Sequence, residues 1–131
     1  MGFFIVNGLI SGMILAAFLA LCDALFHTTT FTVLIDVSYV PVLAGLPAML
    51  ELLVHLAVSI LITAVFCTLY PRFPGPPTAR YLLWWAALLS VLYLPFSLLS
   101  GQPLSFSAFL IWLIGHVIYT LFLAIQMEKH R

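Results

Sequence analysis

Residues 48–70 read AMLELLVHLAVSILITAVFCTLY. The stretch holds one charged residue, Glu51, and one histidine, His55, and Pro71 follows it. About 20 apolar residues in a helix are enough to cross a hydrocarbon core of roughly 30 Å. The stretch therefore reads as a membrane-spanning helix, closed by a residue that cannot continue it. Working outward, three more stretches have the same character: residues 3–26, 80–99 and 106–127. The expected fold is all-α, a four-span transmembrane helix bundle forming a single integral membrane domain over residues 1–131.

Composition agrees with this. The chain is 131 residues long, 65% hydrophobic and 6% charged. A soluble domain carries about 25% charged residues, and the mean hydropathy here is +1.26. The formal net charge is zero and there is no basic run, so nucleic acid is excluded as a partner and the lipid bilayer is the expected one. The first apolar stretch has no basic residue before it and is too long for the core of a signal peptide. Cys22 and Cys67 fall near opposite faces of the membrane, too far apart for a disulfide.

The basic residues give a direction. Arg72 and Arg80 flank the connection between the second and third spans, and Lys129 and Arg131 follow the fourth. In a four-span chain that connection and both termini share one side, and an excess of basic residues marks the cytoplasm. Both termini are thus expected in the cytoplasm. Tyr70, Tyr81, Trp84 and Trp85 lie near the same side, where an aromatic belt is expected. The connection itself, PRFPGPP at residues 71–77, is a stiff link between two helical hairpins.

The first outer connection is unusual. Residues 27–47, HTTTFTVLIDVSYVPVLAGLP, are too apolar for a disordered loop. They read as an interfacial or partly re-entrant segment packed on the outer mouth of the bundle. In the first span, Gly8, Gly12, Ala16 and Ala20 recur every four residues. Small residues at that spacing let helix backbones approach closely, either inside the bundle or at a contact with a second copy or another membrane protein.

Ionisable groups in a span are costly, face the bundle interior and often mark function. Asp23 and His27 are four apart at the outer end of the first span, and Glu51 and His55 are four apart at the outer end of the second. His116 lies in the middle of the fourth, and Asp36 is placed to close over the group from the outer loop. Carboxylates and imidazoles suit zinc or a first-row transition metal, and equally a proton relay. The candidate metal ligands are His55, His116, Glu51, Asp23 and His27. A polar path continues inward through Ser59 and Thr63 of the second span and Tyr119 and Thr120 of the fourth. The plainer readings are that Asp23 and His27 sit at headgroup level, that Glu51 answers the helix dipole, and that the buried hydroxyls and imidazoles join helices by hydrogen bonds.

The second and fourth spans, ELLVHLAVSILITAVF and FLIWLIGHVIYTLFLAI, run in the same direction and each carries a histidine followed by a Ser or Thr. The two hairpins read as parallel repeats about an axis along the membrane normal. From His55 to Arg131 the chain also resembles the YagU-like small inner-membrane proteins of bacteria. The pieces that carry the resemblance are VHLAVSILITAVFCTLYPRFP, LLSVLYLPFSLLSG and IGHVIYTLFLAIQMEKHR. His55 and His116 fall on positions where that family has histidine, whereas Glu51 has no counterpart there. The resemblance implies a bacterial inner-membrane protein linked to acid or stress tolerance, and it supplies no catalytic residues.

The leading expectation is an intramembrane site that binds a metal ion or relays protons. The alternative is a structural or accessory subunit packing through the Gly8 and Gly12 face. A membrane-embedded metal hydrolase ranks lower, because no nucleophile–base pair is recognisable, and so does a haem protein with His55 and His116 as axial ligands.

Overall fold

A computed structural model describes residues 2–35, 42, 45, 47–70, 76–101 and 105–130. Asp36, Arg72, Arg131 and most of the proline-rich connection lie outside them. The helices are α1 (Gly2–Phe26), α2 (Thr30–Ile35), α3 (Ala48–Thr68), α4 (Pro76–Val91), α5 (Tyr93–Leu99) and α6 (Phe106–His130). Four segments are long and apolar enough to cross a membrane: Gly2–Phe26, Met49–Leu69, Thr78–Leu99 and Phe106–Lys129. By helix length and hydropathy this is a multi-pass membrane protein. The four expected spans are present, with ends shifted by a few residues.

The third span is broken in the middle. Pro95 has no N–H to give to the carbonyl of Val91, and its ring crowds that carbonyl. α4 accordingly stops at Val91, Leu92 forms a turn, and α5 restarts at Tyr93. The last carbonyls of α4 need other partners. One is found across the bundle, where Trp112 Nε1 of α6 donates to the Leu89 carbonyl at 3.0 Å.

α1 lies at the centre of the arrangement. It packs along α3 on one side and α6 on the other, and α4 packs along α6. The small residues explain the α1–α3 approach. A Cβ on Gly8 would stand 2.6 Å from Ile60 Cα, and one on Gly12 would stand 3.0 Å from Ser59 Cβ. Ala16 is buried as well, but Ala20 is exposed. Residues four apart drift by about 40° per step on a helix, so the small-residue stripe turns out of the contact after Ala16. The Gly8 and Gly12 face is used inside the chain.

The α1–α6 contact has no counterpart of similar extent between α3 and α4 among the described residues. A strict two-fold relation between the hairpins would require one. Instead α3 and α4 meet through rings. Phe66 lies 5.3 Å from Tyr81 and 5.5 Å from Trp85 between centroids, and Tyr70 packs edge-on to Tyr81 at 5.7 Å. Tyr81 Oη also donates to the Phe66 carbonyl at 2.5 Å. Tyr70, Tyr81 and Trp85 therefore turn inward, and Trp84, 75% exposed, is the member of the expected aromatic belt that faces outward. Tyr81 and Trp85 share a helix face at a spacing of four, and Trp84 points about 100° away.

The short helix α2 belongs to the apolar outer segment. Thr30, Val33 and Ile35 are buried, and the helix touches α1, α3, α5 and α6. The described part of that segment, residues 27–35, is thus packed on the bundle.

Candidate functional site

The space that a tighter α3–α4 contact would fill is a cavity of about 160 Å³. Val54, His55, Val58, Ser59 and Ile62 of α3 face it, with Leu89 of α4, Phe96 of α5 and Leu92 between those two helices. Trp112, His116 and Tyr119 come from α6, and Leu15 from α1. Leu34 and Ile35 of α2 complete the lining. The break at Pro95 thus has a structural consequence, since it places Leu89, Leu92 and Phe96 around a space instead of along one straight helix.

His55 and His116 share this cavity. His116 is buried, and its Nδ1 is 2.8 Å from the Trp112 carbonyl of its own helix. A carbonyl only accepts, so Nδ1 carries the proton and Nε2 keeps a lone pair. The Trp112 ring stacks on the imidazole with centroids 4.5 Å apart and fixes its plane. His55 is half-buried, and its Nε2 faces the Gly12 carbonyl of α1 at 3.4 Å. Its proton belongs on Nε2 by the same argument, leaving the lone pair on Nδ1.

The neighbouring hydroxyls satisfy one another. Ser59 Oγ donates to the Gly8 carbonyl at 2.8 Å, so the Tyr119 hydroxyl, 2.8 Å away, donates to Ser59 Oγ. Thr120 Oγ1 donates to the His116 carbonyl at 2.8 Å. Thr63 Oγ1 is buried with no hydrogen-bond partner among the described residues. Ser59, Thr63, Tyr119 and Thr120 are all buried, but the hydrogen bonds from Ser59 and Thr120 run to the backbone carbonyls of Gly8 and His116.

The remaining candidate ligands are elsewhere. The Asp23 carboxylate caps α2: it accepts from Thr28 Oγ1, from the Thr30 amide at 3.0 Å, from Thr30 Oγ1 at 2.6 Å and from the Phe31 amide at 2.8 Å. His27 follows the last residue of α1 with φ of +57° and is exposed. The helix ends before it, so the spacing of four from Asp23 does not put the two side chains on a common face. Glu51 is half-buried in the first turn of α3, where the helix dipole favours a negative charge, and it does not line the cavity. No group of three or more His, Cys, Asp or Glu side chains able to hold a metal ion occurs among the described residues. Cys22 and Cys67 are free thiols, the first buried. Asp36 lies outside the described residues.

Sequence reading missed Trp112, Leu89 and the role of Pro95. Two signals pointed to them. Trp112 is a tryptophan well inside a span instead of at its rim, one helical turn before His116. Pro95 is a proline in the interior of a span, a place where a helix kinks.

Compared with protein-family models, with curated proteins and with solved structures, the chain matches none.

Proposed function

We propose that this multi-pass membrane protein is a binding protein whose site is the cavity faced by His55 and His116. The observation that carries the reading is the pair of imidazoles from two helices lining one cavity, each with one nitrogen given to a backbone carbonyl and the other left with a lone pair. Two such lone pairs on a largely apolar wall are acceptors without internal donors. They suit an occupant that brings a positive centre or a proton. Within this reading the metal proposal contracts from five ligands to His55 and His116, with zinc or a soft first-row ion as the candidate. A proton relay uses the same two nitrogens, and Ser59 with Tyr119 extends them by one hydrogen-bonded step.

We place the chain in a bacterial inner membrane with both termini in the cytoplasm, on the strength of Arg80 and Lys129 at one end of the bundle and of the resemblance to YagU-like proteins. A link to acid or stress tolerance rests on that resemblance alone. The accessory-subunit reading loses its expected contact surface, because Gly8 and Gly12 are already occupied by α3.

The test is to purify the untagged protein in mild detergent and run elemental analysis and native mass spectrometry on wild type, His55→Ala and His116→Ala. A metal ion or small molecule carried by wild type and lost from both variants is the expected result. An empty site in every sample, including wild type offered zinc, sinks the binding function.

A further inference from the structure

We infer that the cavity takes the head of a phenol-type molecule, a single aromatic ring bearing a hydroxyl. This rests on the reading of the His55–His116 cavity as a binding site and names the class of its ligand.

Size comes first. About 160 Å³ is the room an apolar protein cavity needs to take a benzene-sized molecule. The walls suit such a ring, because the Trp112 indole, Phe96 and the leucines at 89 and 92 present apolar and aromatic surface.

Hydrogen-bond accounting then selects the functional group. The Ser59 proton goes to the Gly8 carbonyl and the Tyr119 proton to Ser59 Oγ. The two ring N–H groups go to the carbonyls of Gly12 and Trp112. What remains on the side chains is acceptors, the two imidazole lone pairs and the Tyr119 hydroxyl oxygen. A ligand that only accepts, such as a ketone or an ether, finds no free side-chain donor. Among the described residues no Lys or Arg lines the cavity, so a carboxylate or phosphate would enter without a counter-charge from them. Among the described residues no Asp or Glu lines it either, so an organic cation or a metal ion would be held there by neutral groups. A neutral donor fits, and a phenolic O–H is a stronger donor to imidazole than an aliphatic alcohol.

The experiment compares 4-ethylphenol with 4-ethyltoluene, which replaces the hydroxyl by a methyl group of similar size. Binding to the full-length protein in detergent is measured by equilibrium dialysis against protein-free detergent, with zinc titrated in parallel. Saturable 1:1 binding of the phenol, about tenfold tighter than the toluene once micelle partition is subtracted, is expected. His116→Ala should abolish the preference. Leu92→Trp, which fills the cavity and leaves both histidines, should weaken both compounds. Equal or better binding of the toluene overturns the donor argument while leaving an occupied cavity. Zinc binding that needs both histidines, with no phenol binding, also overturns the inference and leaves the site reading standing. Failure of all three probes overturns both. The phenol–toluene comparison on wild type decides the matter even where His116→Ala does not fold.

Discussion

Gly8 shows how one residue sets a helix contact. Its missing side chain lets the α1 backbone approach Ile60 so closely that a Cβ would stand 2.6 Å from Ile60 Cα. The obstacle is backbone, which cannot rotate away as a side-chain tip can. Close approach also brings the Gly8 carbonyl within 2.8 Å of Ser59 Oγ, the bond that orients Ser59 toward Tyr119. Gly8→Ala is therefore expected to push α1 from α3 and cost about 1–3 kcal/mol. Ala20→Leu, at an exposed position of the same helix, should change stability little. Thermal unfolding followed by size-exclusion chromatography in detergent compares the two. A Gly8→Ala protein as heat-stable as wild type would mean that the close approach is not what holds α1 on α3. At this scale the sequence was only partly legible. The spacing of Gly8, Gly12 and Ala16 announced a contact, but a pattern of small residues carries no information on which helix fills it. The extension to Ala20 failed through helix geometry, because a strict spacing of four leaves the face within a few turns.

Among the elements, α2 and the broken third span shape the cavity, and they differ in how openly the sequence shows them. The apolar, β-branched composition of residues 27–47 identified a packed outer segment, yet a six-residue helix is too short for periodicity to reveal. Its anchor, Asp23, reads in the sequence as a candidate metal ligand. An aspartate near the end of a span looks the same in sequence whether it binds a cation or caps a returning helix. Only the fold brings Thr28, Thr30 and Phe31 round to Asp23. Asp23→Ala removes every one of these acceptors and leaves the Thr30 and Phe31 amides unpaired, a cost of about 1–3 kcal/mol for each group that stays buried. The loss should be local. Amide hydrogen exchange is expected to speed up over residues 28–35 while α1 and α6 keep wild-type protection. Asn in place of Asp should recover part of the protection, since its carbonyl still accepts. Unchanged exchange over 28–35 in Asp23→Ala would show that side-chain packing of Val33 and Ile35 holds α2 without the cap. The kink at Pro95 has the opposite standing: the proline is plain in the sequence, and what it does to Leu89, Leu92 and Phe96 requires the neighbouring helices.

For the whole molecule, the distribution of polarity is inverted relative to a soluble protein. Asn7, Ser11, Ser59, Thr63, Ser97, His116 and Thr120 are buried, while Leu21, Leu61, Leu83 and Ile125 face outward. Lipid is as apolar as leucine, so burying leucine gains little and helices are held by close packing and hydrogen bonds. This is why four spans could be read directly from hydropathy while their order around the bundle could not: a lipid-facing helix and a central one have nearly the same composition. The same four helices make the sidedness of the chain testable. α1, α3, the α4–α5 pair and α6 each cross once, so His27 and Lys129 must lie on opposite sides, and the proposed orientation has Lys129 in the cytoplasm. In a Cys22→Ala, Cys67→Ala background, a single cysteine at position 27 is expected to react with a membrane-impermeant maleimide in intact cells. A single cysteine at position 129 is expected to react only after the cells are opened. The reverse pattern would keep the four-span fold and invert its direction, moving the mouth closed by α2 to the cytoplasmic face. Labelling of both positions from the outside would contradict the three crossings between them, an odd number, and with it the assignment of the α4–α5 pair as a full span.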